Sequence, residues 1–323
     1  MRHLSSSFSG KNAPWRYVIM LVAVFLAANT VGGIPLIIGF ASRAVSNPEA
    51  ASRLAANPSD LSAIGIAPDM ALFMMLFPFL AGLITFALLV KPLHGRTFIQ
   101  TFTGATTLRW RRVLVSALLW AIFSALYLVV YNWLQPSNFR INNTSSTLIW
   151  LVIISVVLIP FQASFEEVIF RGYLMQGFTV MSRRWRVIGG ALFPLVITSL
   201  LFGIMHAWNP EIKEYGFFTM IPQYLLFGLL FGMITIIDDG IEIAAGAHAS
   251  NNIFLSIMLT NSSSTLQTPA IFEQINIHPW IEFWALFVTS VLFFLVMMKI
   301  FNWKDPSVLW RKVEAPTEFD SNH

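Results

Sequence analysis

The sequence predicts an all-α, polytopic integral membrane protein with about eight transmembrane helices. Of its 323 residues, 56% are hydrophobic and only 11% are charged, whereas soluble domains carry about 25% charged residues. A membrane-spanning helix needs about 20 predominantly apolar residues. Eight runs of the chain meet this requirement, near 15–40, 70–90, 113–134, 147–170, 187–206, 219–237, 241–260 and 281–301.

These runs divide the chain into three parts. The run 15–40 is longer than the apolar core of a cleaved signal peptide, which covers about 7–15 residues, so it is predicted to be a retained first span. The expected organisation is a cytoplasmic N-terminal segment 1–14, a single membrane domain 15–301, and a polar cytoplasmic tail 302–323. We expect the tail to be frayed.

The basic residues predict the orientation of the spans. The chain has 20 Lys and Arg residues and a net charge of +4. With eight spans, sixteen of the twenty fall on one side, which places both termini in the cytoplasm of a multi-pass protein, most simply in the plasma membrane. Their position beside apolar runs indicates anionic lipid headgroups as partners and not nucleic acid. The four on the other side are Arg43, Arg53, Arg140 and Lys213.

Cysteine is absent from the chain. Disulfides, thiolate nucleophiles and cysteine-ligated metal sites are therefore excluded. Any chemistry in the membrane domain has to come from carboxylates, imidazoles, amides and hydroxyls.

Few ionisable residues lie within the apolar runs. Glu166 and Glu167 follow the run 147–163, His206 closes the fifth span, and His248 lies within the seventh. Ionisable side chains inside a membrane are costly and mark functional sites by default. These two carboxylates and two imidazoles are therefore the first candidates for a site.

Helical spacing separates the two glutamates. Glu167 and Arg171 are four residues apart with the acid first, which is the favourable order for an ion pair on one helix face. Glu166 is about 100° further round the helix and points elsewhere. The spacing predicts a structural role for Glu167 and leaves Glu166 available for chemistry.

A second spacing pairs His248 with Asn252, four residues further along the seventh span. Both side chains project from one helix face, and two such donors in a medium of low dielectric constant can stabilise an oxyanion. A carboxylate such as Glu166 and an imidazole such as His206 can activate a water molecule. Phe202 lies one turn before His206 on the same face.

The motifs around these residues resemble those of the CAAX protease and bacteriocin-processing family, also called CPBP or Abi, which contains the type II CAAX prenyl endopeptidases. The family carries the patterns EExxxR, FxxxH and HxxxN in that order, in successive apolar segments. The matching residues here are Glu166, Glu167 and Arg171, then Phe202 and His206, then His248 and Asn252. The resemblance covers roughly 147–260.

This resemblance implies an intramembrane endopeptidase with a catalytic core of helices 4–7 and a protein or peptide substrate. It implies that Glu166 activates water with the help of His206, and that His248 and Asn252 stabilise the tetrahedral oxyanion. The remaining motif residues, which would support the site, are Glu167, Arg171 and Phe202. The resemblance does not by itself imply that the substrate is prenylated.

A zinc-dependent mechanism is the first alternative. Glu166, His206 and His248 would form a two-His, one-Glu set with an open fourth position, as in many catalytic zinc sites. However, the sequence has no HExxH motif to hold two histidines at a fixed spacing. We therefore favour a site without metal or cofactor.

Two further alternatives belong to other functional classes. In a proton-coupled transporter, Glu166 and His206 would relay protons, but such transporters commonly show inverted repeats and none is evident here. In a non-enzymatic immunity protein, Glu166→Gln would leave function intact.

Counting residues along the predicted spans places two of the candidate residues at different depths in the membrane. It places Glu166 towards the inner end of the fourth span and His206 at the outer end of the fifth. A shared site then requires either a break at Pro160, since proline is a common cause of kinks, or a fifth span that starts deeper.

Overall fold

A computed structural model describes residues 1–44, 65–142, 148–184, 190–265, 267–303 and 305–315. The described chain is mainly helical, as predicted. Its α-helices are α1 (Arg2–Ser5), α2 (Pro14–Asn29), α3 (Ile34–Ala44), α4 (Pro68–His94), α5 (Phe98–Phe102), α6 (Trp110–Leu134), α7 (Leu148–Glu167), α8 (Met175–Arg184), α9 (Leu192–Met205), α10 (Pro210–Tyr215), α11 (Phe217–Asp238), α12 (Glu242–Met258) and α13 (Pro279–Ile300). A π-helical turn, Val168–Leu174, joins α7 to α8, and 3₁₀ turns cover Ser6–Ser9, Pro136–Asn138 and Pro306–Trp310.

Six helical segments in the described ranges are long and apolar enough to cross a membrane. They are Pro14–Ser42, Pro68–His94, Trp110–Leu134, Leu148–Arg184, Phe217–Asp238 and Pro279–Ile300. The predicted fifth and seventh spans correspond to α9 and α12, which have 14 and 17 residues. At 1.5 Å per residue these helices are about 21 and 26 Å long, shorter than a hydrocarbon core of about 30 Å.

The short helix α12 is enclosed by other helices. It packs against α6, α7 and α11, and all nine of its residues in the range 242–250 are buried. Protein and not lipid therefore surrounds its polar side chains, which can find hydrogen-bond partners there.

The fourth span is longer than expected. α7, the π-helical turn and α8 form one helical run of 37 residues, Leu148–Arg184, against the predicted 147–170. Pro160 lies inside α7 without ending it, so the break considered from the sequence does not occur. Glu166 consequently lies about 27 Å from the start of the run at 1.5 Å per residue, near its middle and not its inner end.

A three-stranded sheet closes one end of the helical bundle. Its strands are β1 (Phe139–Ile141), β2 (Leu259–Thr260) and β3 (Phe272–Gln274), in the order β1-β3-β2. β3 pairs with β1 in antiparallel and with β2 in parallel orientation. The sheet links the ends of α6 and α12 to the start of α13, and we call this end of the bundle the sheet end.

The opposite end carries the first residues of the chain, and we call it the N-terminal end. The backbone N–H groups of Arg2 and His3 donate to the carboxylate of Asp239, in the turn between α11 and α12, at 3.0 and 2.8 Å. Nearby, the guanidinium of Arg109 donates to Glu242 at 2.6 Å. These bonds tie the N-terminal segment to the base of the bundle.

The tail is better ordered than expected. Val313 is buried, and the backbone N–H of Ala191 donates to the carbonyl oxygen of Arg311 at 3.3 Å. The prediction of a frayed tail is therefore wrong for 305–315, because an apolar side chain anchors it to the bundle. The remainder of the predicted tail, 316–323, lies outside the described residues.

Candidate active site

The candidate site is built around the point where α7 passes into the π-helical turn. Glu166 and Glu167 are the last residues of α7, and the turn Val168–Leu174 follows directly. Such π-helical turns are rare and frequently occur at functional sites. Gly172 lets the turn approach α5 closely, because a Cβ at this position would collide with the backbone oxygen of Thr101.

Glu167 and Arg171 form the ion pair that their spacing predicted. Nη1 of Arg171 donates to Oε1 of Glu167 at 3.0 Å, and both side chains are fully buried. The guanidinium also lies 4.1 Å from the ring centre of Phe202, which is a cation–π contact. Phe202 thus does more than fill space, because its ring contacts a buried charge.

His248 is oriented by the same carboxylate. Its Nδ1 atom lies 2.7 Å from Oε1 of Glu167, a contact that the sequence did not predict. Because a carboxylate only accepts, we assign the proton to Nδ1, which leaves Nε2 directed at the site. Nε2 lies 3.7 Å from Oε2 of Glu166, and the ring of Phe231 stacks on the imidazole at 5.8 Å.

Glu166 is held at one oxygen only. Nε2 of Gln162 donates to Oε1 of Glu166 at 2.5 Å, whereas Oε2 is buried and has no hydrogen-bond partner among the described residues. Gln162 in turn accepts a hydrogen bond from Nδ2 of Asn252 at 3.0 Å. The amide of Gln162 therefore connects the α7 carboxylate with α12.

Gln162 was not predicted from the sequence, because it is a neutral side chain and belongs to none of the three motifs. A signal was nevertheless available, since Gln162 is a polar residue in an apolar run, one turn before Glu166.

Of the two adjacent asparagines, Asn252 faces the site. Asn251 accepts from Nε1 of Trp120 at 3.1 Å and donates to Oδ1 of Asn252 at 3.0 Å. Asn251 thus orients Asn252, as expected if the residue four positions after His248 shares its face. One N–H of the Asn252 amide is bonded to Gln162, and the other is available to a ligand.

His206 lies at the edge of this group. It forms the C-cap of α9, and its Nδ1 atom lies 2.7 Å from the carbonyl oxygen of Phe202. Its ring centre is 4.6 Å from that of Phe202, which is itself 6.2 Å from the ring of His248. In the described chain no hydrogen bond or ion pair joins His206 to Glu166, whose nearest imidazole contact is with His248.

The donors of the zinc alternative do not converge. Within the described ranges, no group of three His, Asp or Glu side chains has the arrangement of a metal site. Nδ1 of His248 is bonded to Glu167 and Nδ1 of His206 to a backbone carbonyl, which by itself leaves Nε2 of each imidazole able to bind a ligand. Among the described residues, Glu166, His206 and His248 nevertheless do not form a ready-made metal site.

Comparisons with known proteins match parts of the chain that include these residues. Residues 144–254 match the family model described as Rce1-like, type II CAAX prenyl endopeptidase. The uncharacterized protein YyaK of Bacillus subtilis (strain 168) is 27% identical over 285 residues, which cover 87% of this chain and 91% of that protein. No solved structure matches the chain.

The matched segment contains Gln162, the Glu167–Arg171 pair, and the facing residues His248 and Asn252 of α12. The match indicates an intramembrane protease of the CAAX type in a multi-pass membrane protein. Over residues 144–254, the chain is similar to the Rce1-like family of type II CAAX prenyl endopeptidases.

Proposed function

We propose that this protein is an intramembrane endopeptidase that hydrolyses a peptide bond with a water molecule activated by Glu166. One observation carries the proposal. The Oε2 atom of Glu166 is buried without a hydrogen-bond partner among the described residues and lies 3.7 Å from Nε2 of His248. The opposite ends of both side chains are fixed, by Gln162 and by Glu167. A carboxylate and an imidazole with free, converging atoms have the geometry needed for proton transfer.

In the first step, a water molecule beside Oε2 of Glu166 loses a proton to the carboxylate as its oxygen attacks the carbonyl carbon of the substrate. The C=O π electrons move to the oxygen, which becomes a tetrahedral oxyanion. Preorganised donors that face such an oxygen supply much of the rate enhancement in acyl transfer.

The oxyanion would be held by His248 and Asn252. Asn252 has one N–H that is not bonded to Gln162, and protonated His248 would donate through Nε2. The bond from Nδ1 of His248 to Glu167 holds the imidazole in this orientation.

In the second step, the C–N bond breaks and the leaving amine takes the proton that Glu166 received from water. The products are a carboxylic acid and an amine, so the carboxylate of Glu166 is regenerated. His206 would assist by exchanging a proton through its unbonded Nε2 atom.

Aromatic and aliphatic side chains surround this group and lower the local dielectric constant. Phe202 is buried beside the site, and Phe165, Tyr224 and Phe227 pack against the same cluster. Electrostatic interactions with a developing charge are stronger in such surroundings than in water.

We further propose a membrane-bound protein or peptide as substrate and a plasma-membrane location with both termini in the cytoplasm. The family name makes a prenylated C-terminal CAAX peptide the first substrate to test. Lys and Arg residues beside the spans would contact anionic lipid headgroups.

The test compares purified wild type with Glu166→Gln and Glu166→Ala in two assays. One is a cleavage screen on the host membrane proteome, and the other uses an internally quenched peptide that ends in a farnesylated CAAX sequence. We expect cleavage by wild type and a loss of about 10²–10⁴-fold in either variant. The control is Glu273→Gln, which alters an ion pair with Arg140 at the sheet end.

Undiminished cleavage by Glu166→Gln would refute the role of this carboxylate. If neither assay detects cleavage by wild type, while Glu166→Gln retains the biological function, a non-enzymatic immunity protein is supported instead. Stoichiometric zinc together with chelator-sensitive turnover would overturn the metal-free mechanism in favour of the zinc-dependent one.

A further inference from the structure

Four polar residues form a cluster at the sheet end that the steps above do not use. The hydroxyl of Tyr224, in α11, donates to Oε1 of Glu211, in α10. Nδ2 of Asn209 donates to the same hydroxyl at 3.0 Å and to Glu211 at 3.2 Å, and Oγ1 of Thr265 donates to Oε2 of Glu211 at 2.9 Å. We call these four residues the tyrosine clamp.

The clamp holds the Tyr224 ring against His206. The two ring centres are 4.2 Å apart, and the planes are nearly parallel, at 21°. The clamp thus reaches the candidate site through His206, whose ring is hydrogen-bonded to the backbone of Phe202.

His206 lies outside the regular part of α9, so the orientation of its ring depends on a neighbouring side chain such as Tyr224. As the C-cap of α9 it has φ −88° and ψ 0°, and its ring hydrogen bond is to the backbone oxygen of Phe202. A carbonyl oxygen only accepts, so the proton lies on Nδ1 and the free nitrogen is Nε2. The direction of Nε2 is then set by the plane of the ring, which a stacked neighbour controls.

We propose that Tyr224 is a positioning residue for His206 and that Glu211 holds Tyr224 in place for this purpose. The activity part of the proposal rests on the proposed function. Hydrogen bonds to a charged carboxylate are about twice as strong as neutral ones, so the clamp resists rotation of the Tyr224 ring.

The stack also has an electrostatic consequence. An aromatic face attracts a cation, so the Tyr224 ring favours the protonated imidazole that forms when His206 accepts a proton. Donation of the hydroxyl to a carboxylate leaves the ring more electron-rich. Tyr224 therefore acts on both the orientation and the charge of His206 without touching the reacting atoms.

The clamp joins separate segments of the chain. Asn209 and Glu211 lie at the start of α10, whereas Thr265 follows β2. Displacement of either segment would weaken the hold of Glu211 on Tyr224. The position of these connections at the sheet end is thereby coupled to His206.

The first test is spectroscopic and needs no substrate. Wild type labelled with nitrogen-15 histidine contains six imidazoles, and His206→Gln assigns the His206 signals. We expect Tyr224→Leu to shift the two ring-nitrogen signals of His206 and Tyr224→Phe and Glu211→Gln to shift them less. The matched control is Tyr127→Phe in α6, whose buried hydroxyl has no hydrogen-bond partner among the described residues. Unchanged His206 signals in a folded Tyr224→Leu would overturn the proposal.

The second test uses the quenched farnesylated peptide. We expect Tyr224→Leu to lower kcat about 10- to 100-fold with KM within about twofold, since misplacement of a catalytic group can cost about 100-fold in rate. Tyr224→Phe and Glu211→Gln should lose about 3- to 10-fold and shift the pH–rate profile. A rise in KM with unchanged kcat and pH profile would overturn the proposal in favour of direct substrate contact.

A double variant separates positioning from general destabilisation. If Tyr224 acts through His206, Tyr224→Phe should have little further effect on kcat in a His206→Gln background. If the losses in kcat caused by Tyr224→Phe and by His206→Gln multiply in the double variant, the proposal is contradicted. If wild type shows no cleavage in either the peptide assay or the proteome screen while the His206 signals shift as expected, the proposed function fails and the positioning of His206 stands.

Discussion

Glu166 and Glu167 are adjacent in the chain but differ in burial and in the charge of their hydrogen-bond partners. Glu167 is fully buried and accepts hydrogen bonds from Arg171 and His248 at a single oxygen. Glu166 has a side chain that is 12% exposed, contacts the neutral amide of Gln162, and lies 3.7 Å from Nε2 of His248. The difference shows how one helix can supply a neutralised structural carboxylate and an available one in consecutive positions, because a step of one residue turns the side chain by about 100°.

The largest expected effect is a loss of catalytic activity, and it distinguishes Glu166 from Glu167. Glu166→Gln should lower cleavage about 10²–10⁴-fold and leave the unfolding temperature unchanged or higher, because it removes a buried charge that lacks a fully charged partner. The measurement is peptide cleavage together with thermal unfolding in detergent. A Glu166→Gln protein that unfolds well below wild type would show that both glutamates are structural.

The second prediction concerns Glu167 and its ion pair with Arg171, and it is tested by measuring stability. Glu167→Gln or Arg171→Met should each lower the free energy of unfolding by about 3–5 kcal/mol, because each leaves the partner as an uncompensated buried charge. The double variant should lose less than the sum of the two. Denaturant unfolding of the three variants measures this, and strictly additive losses would mean that the pair is not coupled.

A smaller effect is expected at the residue that connects Glu166 to α12. Gln162→Leu removes the hydrogen bonds to Glu166 and Asn252, and we expect kcat to fall about 10-fold as the carboxylate loses its fixed orientation. Gln162→Glu is the matched variant, because it keeps the size of the side chain but places a second carboxylate beside Glu166. It should lose more activity than Gln162→Leu, and the opposite order would refute an orienting role for the amide.

The smallest effect concerns the N-terminal end. Burial lowers the pKa of His3, whose Nε2 atom lies 3.3 Å from the carbonyl oxygen of Arg171, although Asp239 and Glu242 partly oppose this shift and Arg109 adds to it. As pH falls below about 6.5, the ordinary histidine pKa, the unfolded chain takes up this proton before the folded one. Folding stability should therefore decrease with acidification.

The measurement for His3 is the unfolding temperature at about pH 7.5 and pH 5.5 for wild type and His3→Gln. His3→Gln should show a smaller loss between the two conditions, since glutamine does not titrate in this range. An equal loss in both proteins would assign the pH dependence to other groups.

Local spacing predicted those parts of the site that lie on one helix. The contact of Glu167 with Arg171 and the choice of Asn252 over Asn251 follow from an interval of four residues, because residues four apart share a face whatever surrounds the helix. The contact of His248 with Glu167 joins α12 to α7, and no sequence interval encodes it.

Two other features escaped prediction for a related reason. The length of the fourth span was underestimated because Arg171 in the π-helical turn and the polar residues of α8 lower the hydropathy of this part, although the helix continues to Arg184. The tyrosine clamp was missed because Glu211 and Thr265 lie in connections that read as polar loops, and only the fold brings them to Tyr224.

By itself, the sequence determined that the chain is an apolar, all-α membrane protein and that few ionisable residues lie within its helices. It also determined which of these residues share a helix face, since helical periodicity depends only on local backbone geometry. The tertiary structure alone decided that His248 is oriented by Glu167, that Gln162 holds Glu166, and that Tyr224 stacks on His206. These contacts join residues far apart in the chain, so they exist only once packing has set the distances between helices.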